Sequence, residues 1–115
     1  MRALVTGGAG FIGSHIATRL VQGGHQVRVL DDLSSGKKEN LAHVARDVEL
    51  AIGDVRDARK VAELSAGCEV VFHEAAIVSV PYSIEHPQET HDVNIEGTLN
   101  VLQAARAQGV RRVVF

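Results

Sequence analysis

Eight residues near the amino end, Thr6-Gly-Gly-Ala-Gly-Phe-Ile-Gly13, constrain this chain more than any others. They follow a short apolar run, Arg2 to Thr6, that reads as a strand. They precede a stretch, Phe11 to Gln22, whose apolar residues Phe11, Ile12, Ile16, Leu20 and Val21 fall at the spacing of one helical face. A strand that turns this tightly into a helix needs a residue tolerant of positive φ. The turn also delivers the free N–H groups and the positive end of the helix to the strand's carboxyl edge. Two glycine spacings fit the letters, Gly8-x-Gly10-x-x-Gly13 and the wider Gly7-x-x-Gly10-x-x-Gly13. In either, a middle glycine lets a phosphate approach the backbone, and Gly13 lets the helix pack closely.

The rest of the chain repeats the strand-then-helix rhythm. Gln26 to Leu30 is a β-branched run, Lys37 to Ala45 a short helix, Val48 to Ile52 a weaker strand, and Asp57 caps a helix reaching Ser65. Glu69 to His73 reads as a fourth strand. Ala75 to Pro87 is irregular, a long helix covers 88–108 with Gly109 as its stop, and Arg111 to Phe115 begins a fifth strand. Apolar residues Val93, Ile95, Leu99, Val101, Leu102 and Ala105 cover more than one stripe of the long helix, which predicts burial on both flanks. Such alternation predicts an α/β fold with a doubly wound parallel sheet, broken off in the fifth strand. With 115 residues, one domain spanning 1–115 is expected.

Composition narrows the function classes. At 45% apolar the chain is not disordered, and a formal charge of −2 with scattered basic residues gives no footprint for nucleic acid or an anionic membrane. The single Cys68 excludes an intrachain disulfide framework. His86 and His91 lie off a common helical face and no H-E-x-x-H occurs, so no metal is expected. The amino end breaks into glycine too early for a signal segment, and a cytoplasmic location is expected.

A second feature turns the glycine loop from a bare turn into a candidate dinucleotide site. Asp31 stands at the end of the second strand, 18 residues past Gly13, near the ~20-residue offset at which a carboxylate takes ribose hydroxyls. It disfavours a 2′-phosphate, so NAD is expected over NADP. Asp54-Val55 and His73-Glu74-Ala75-Ala76 follow later strands and belong to the same crevice; the first pair suits an adenine amino group and ring.

TGGAGFIG, the aspartate of VLDDLSSG, GDVRD, HEAA and the VNIEGTLNVL helix together resemble the extended short-chain dehydrogenases/reductases. Within them the chain is most similar to NAD-dependent nucleotide-sugar epimerases/dehydratases, above all the UDP-sugar 4-epimerases. The resemblance implies a Rossmann fold in which Gly7, Gly10 and Gly13 are the three glycines and Phe11 and Ile12 give amides to the pyrophosphate. It further implies that Asp31 binds the ribose, and that Asp32, Ser35 and Gly36 line the adenosine end. Asp54 and Val55 would hold the adenine, Ala75 and Ala76 would pass beneath the cofactor, and Asn94 would steady the loop beside the nicotinamide. Ser79 would lie near the sugar. The implied activity is inversion at C4 of a UDP-hexose by transient hydride transfer to NAD. Dehydratase or decarboxylase chemistry on the same frame is the alternative, and a free-standing NAD-binding or interaction module the alternative of another class. The family's catalytic Ser/Thr and Tyr-x-x-x-Lys lie beyond Phe115, so no catalytic residue is expected in this chain and the substrate domain is absent from it. A homodimer through helix 88–108 is also implied. Gly97, inside that helix, needs a close approach to the sheet or cofactor to offset its cost.

Overall fold

The computed structural model describes residues 1–115. Five strands, β1 (Arg2–Thr6), β2 (Gln26–Asp31), β3 (Val48–Ile52), β4 (Val70–His73) and β5 (Arg112–Val114), form one sheet in the order β3-β2-β1-β4-β5, every pair parallel. Parallel neighbours need a crossover, and helices supply it on both faces. Alternation along each strand explains the two layers. Leu4, Leu30 and Val71 point to one side, where they pack with Val61 and Leu64 of α2 (Ala58–Ser65) and Val101 and Ala104 of α5 (Gly97–Gln108). Val5, Val27 and Val29 point to the other, against Ala17 of α1 (Phe11–Gln22) and Leu41 and Val44 of a 3-10 segment, Lys38–Val44. The α/β, doubly wound parallel sheet expected from the sequence is therefore the fold.

Local chemistry accounts for most element ends. Asp57 caps α2 by accepting the Lys60 N–H at 3.1 Å, as its position predicts. The segment 37–45 forms a 3-10 helix rather than an α-helix. Two further readings need correction. The stretch after β4 is not wholly irregular: Ser79 accepts the Tyr82 N–H at 3.3 Å and starts α3 (Val80–Glu85), with Pro81 in its first turn. The pattern there lacked an apolar face long enough to show helical period, because none of α3 is buried. The long helix is also not one α-helix. It begins with α4 (Pro87–His91), widens into a π turn at Asp92–Glu96, and continues as α5.

Nor are both flanks of that helix buried within the chain. Val101, Ala104 and Ala105 are buried, whereas Ile95, Leu99 and Leu102 stand 60%, 44% and 44% exposed. No helix is long and apolar enough to cross a membrane.

The sheet order reverses at β1: β2 and β3 lie on one side, β4 and β5 on the other. Register places Thr6 level with both Leu30 and His73, so the segments leaving β1, β2 and β4 start from one line across the carboxyl edge. Between diverging connections such an edge opens a crevice.

Candidate functional site

That crevice is a cleft of about 510 Å³. Gly7, Gly10, Phe11, Ile12 and Gly13 line one wall, Asp31, Asp32, Ser35 and Gly36 the next. Asp54 and Val55, then Ala75, Ala76 and Ser79, complete it. Of the residues given a cofactor or sugar contact only Asn94 stands outside the lining; His73, expected in the same crevice, is instead buried behind it between Thr6 and Thr98, and Gly8 does not line it either. A second hollow of about 500 Å³ lies at the opposite, amino ends of β1 to β3 and contains none of them.

The glycine loop shows which spacing operates. Gly7 takes φ +67°, and a Cβ there would lie 2.7 Å from the Ala75 nitrogen; Gly8 is as closely packed, its Cβ falling 2.6 Å from Val29 Cγ1, but only Gly7 has the positive φ of the turn, which favours the wider register. A Cβ on Gly13 would sit 2.2 Å from the Gly7 carbonyl oxygen, so the helix packs on the turn itself rather than on the sheet. Gly10 differs. An added Cβ there would meet one atom, the Gly7 oxygen, at 3.2 Å, a tight contact but a milder one than the approaches below 3 Å at Gly7 and Gly13. The N–H groups of Phe11, Ile12 and Gly13 have no partner in the chain, and no side chain caps α1. Phe11 and Ile12 stand 79% and 61% exposed at this mouth.

Asp31 is buried and does two structural jobs. Its Oδ2 accepts the Ala9 N–H at 2.9 Å and its Oδ1 accepts the Leu33 N–H at 2.8 Å. The second bond holds Leu33 at φ +61°, a left-handed conformation that costs an L-residue about 1–2 kcal/mol. The first ties the glycine loop to the turn after β2. Two oxygens offer about four lone-pair sites, so acceptor capacity remains for a ligand's hydroxyls. Asp32 is exposed and accepts from the Ser34 N–H and hydroxyl.

Arg56 chelates Asp54 through Nε and Nη2, the shortest contact being 2.6 Å, and this hydrogen bonding holds the Asp54 carboxyl below its usual range. Val55 departs from the expectation that its side chain meets a ring. It is 5% exposed and belongs to the core, packed where Gly97 approaches, so its backbone is what remains for the cleft. Asn94 clamps the loop after β4 at one residue, accepting the Ile77 N–H at 2.8 Å and donating to the Ile77 carbonyl at 2.9 Å.

No lysine, arginine or histidine lines the cleft, whereas Asp31, Asp32, Asp54, Glu74 and Glu89 do. Arg56 offsets the Asp54 charge from beside the cleft, and at the α1 mouth the free amides and the helix dipole supply positive potential for an anion. Sequence reasoning missed the residues that hold these loops from a distance. Asn40 donates to the Ala9 carbonyl at 2.8 Å, and Asn100 donates to the Val55 carbonyl at 3.0 Å. Separations of 31 and 45 residues leave no local signal. The single tyrosine, Tyr82, lines the cleft and donates to Glu89 at 2.6 Å, which pushes its hydroxyl pKa up. Cys68 is buried, donates to the Leu64 carbonyl, and has its thiol pKa raised by burial, the opposite of an activated nucleophile.

Residues 3–115 match the model of the NAD dependent epimerase/dehydratase family. A UDP-glucose 4-epimerase of Mycolicibacterium smegmatis is 47% identical over 117 residues, covering 99% of this chain and 37% of the relative. Among solved structures, the UDP-glucose 4-epimerase of Thermus thermophilus in complex with NAD superposes with a TM-score of 0.88 at 44% identity, over 100% of this chain and 37% of the other. The dTDP-glucose 4,6-dehydratase of Streptomyces venezuelae with NAD gives 0.91 at 40% identity, over 98% and 38%. The chain thus spans little more than a third of the length of these relatives.

Proposed function

Because the chain belongs to the NAD dependent epimerase/dehydratase family, we propose that residues 1–115 hold the cofactor of an enzyme that inverts C4 of a UDP-hexose by transient hydride transfer, and that this chain alone binds NAD without turnover. The observation that carries the cofactor reading is the open mouth of α1: three unpartnered amides, with no side-chain cap, facing the cleft beside Gly10. Phe11 and Ile12 amides hold the pyrophosphate, and the free lone pairs of Asp31 take the adenosine ribose. Asp54, with the backbone of Val55, meets the adenine. The backbone of Ala75 and Ala76 runs under the dinucleotide. NAD, when bound, supplies a reversible hydride acceptor.

Charge supports NAD over NADP. A 2′-phosphate would bring further negative charge against Asp31 and Asp32 in a cleft whose lining holds five carboxylates and no cation. Tyr82 is unsuited to proton abstraction, since losing its proton would leave a phenolate facing the Glu89 carboxylate. As the family resemblance implies, the proton-transfer residues and most sugar contacts belong outside residues 1–115, with Ser79 as this chain's contribution on the sugar side. The similarity to the dehydratase keeps a second reading, because the same cofactor frame serves that chemistry. Product analysis of the complete enzyme with UDP-glucose separates them: UDP-galactose supports the epimerase, a 4-keto-6-deoxy sugar the dehydratase.

The direct test is titration of the chain with NAD and NADP, wild type and Asp31→Ala. Saturable binding of NAD, at least tenfold tighter than NADP and abolished in the variant, is expected. Equal affinities would remove the role given to Asp31, and no binding of either would remove the cofactor reading.

A further inference from the structure

His73 ends β4 inside the protein, 7% exposed, with a hydroxyl on each ring nitrogen: Thr6 Oγ1 lies 2.7 Å from Nδ1 and Thr98 Oγ1 lies 2.9 Å from Nε2. The proton positions follow from counting donors. Thr98 spends its one hydrogen on the Asn94 carbonyl at 2.7 Å, so it must accept from His73, and Nε2 carries the imidazole hydrogen. Nδ1 is then bare and accepts the Thr6 hydroxyl hydrogen. The Thr6 oxygen in turn accepts the N–H groups of Glu74 and Ala75, at 3.1 and 3.2 Å. The Glu74 N–H is shared with the Thr6 backbone carbonyl, also at 3.1 Å, whereas the Ala75 N–H has the hydroxyl alone; with two N–H groups on its lone pairs, the Thr6 hydroxyl has only Nδ1 left to donate to. Burial, the only cause acting on the ring, lowers its pKa and keeps it neutral.

The direction matters for the cleft. Glu74, Ala75, Ala76 and Ile77 all line it, directly after His73. The two amides that Thr6 receives belong to that floor, and Asn94 clamps its far end at Ile77. Asn94 and Thr98 are neighbours on the helix where the π turn passes into α5, a class of irregularity that recurs at functional sites. One helix turn therefore grips both ends of the floor, one directly and one through the imidazole. We infer that His73 is a positioning residue, fixed by Thr98 as the Nε2–H tautomer, so that Thr6 is oriented to hold the Glu74 and Ala75 amides beneath the bound dinucleotide. The link to the dinucleotide rests on the cofactor reading above; the tautomer and the order of the floor do not.

The experiment compares wild type, Thr98→Val and Thr98→Ser by ¹⁵N NMR of the His73 ring, amide exchange at residues 74–77, and NAD titration. Wild type should show a protonated Nε2 and a bare Nδ1, a readout that survives even if a variant fails to fold. Thr98→Val keeps the volume but removes the acceptor. It should shift the ring toward the Nδ1–H tautomer, speed exchange at Ala75, whose amide has no acceptor but the Thr6 hydroxyl, and weaken NAD binding roughly tenfold, the size expected of one buried hydrogen bond. Thr98→Ser should restore all three. A wild-type Nδ1–H ring, or a folded Thr98→Val with unchanged exchange at 74–77, overturns the inference. Wild type that shows the expected ring and protected amides but binds no NAD overturns the cofactor reading and leaves the positioning role supported.

Discussion

Gly10 and Gly13 sit three residues apart in the same loop, yet the structure asks different things of them. A methyl on Gly13 meets the Gly7 carbonyl at 2.2 Å and the Gly8 Cα at 2.7 Å, and backbone cannot swing aside. Gly13→Ala is expected to cost about 1–3 kcal/mol of stability, the usual range for overpacking, read as a lower denaturant midpoint. Gly10→Ala should cost clearly less stability than Gly13→Ala, because it adds one tight contact at 3.2 Å where Gly13→Ala adds three below 3 Å. It should nevertheless weaken NAD binding at least tenfold, since the methyl projects where the phosphates pass. Equal effects of both variants on stability would show that Gly10 answers to the fold. Much of this site was legible residue by residue: the glycine spacing and the Asp31 offset are local in sequence and follow from what a turn requires. The second duty of Asp31, bonding Ala9 across 22 positions, was not legible, because nothing near either residue encodes it.

At the scale of elements, strands and crossover helices could be read because period and β-branched runs are one-dimensional signals. The π turn, the 3-10 segment and α3 could not, since each depends on contacts made elsewhere. Gly97 was legible only as an anomaly. A Cβ there would lie 2.7 Å from the Val55 Cγ2, so this glycine lets the start of α5 rest on the loop after β3. Gly97→Ala should destabilise by about 1–3 kcal/mol, and adding Val55→Ala should recover part of that loss, a coupling that a double-mutant cycle measures. Additive losses would mean the two do not meet. The β4 end carries a pH signature as well. Burial holds the folded His73 pKa below its ordinary 6.5. The unfolded chain therefore takes up a proton first as pH falls, so the stability this group contributes is complete above the ordinary value and declines below it. Denaturant midpoints at pH 7.5 and 5.5 should differ, and His73→Gln should reduce that difference. An unchanged pH dependence in the variant would remove His73 as its source.

For the whole molecule, the flank Ile95, Leu99 and Leu102 is an exposed apolar row along the long helix. A row of apolar side chains on one helix suits the matching row of a second copy, consistent with the homodimer implied by the family resemblance. Leu99→Glu with Leu102→Lys should convert a dimer to a monomer by light scattering while leaving NAD affinity within about twofold, because neither residue lines the cleft. A wild-type monomer at every concentration would dismiss this face as an interface.

The bond from the Ala9 N–H to Asp31 has one more consequence. It fastens the glycine turn to the turn after β2 and so sets the gap between them. On the proposed cofactor reading the protein thereby carries a built-in gauge. A molecule whose charged bridge and sugar ring are separated by one bond too many or too few would satisfy one end at the expense of the other, and would be sorted by length before its chemistry is tried.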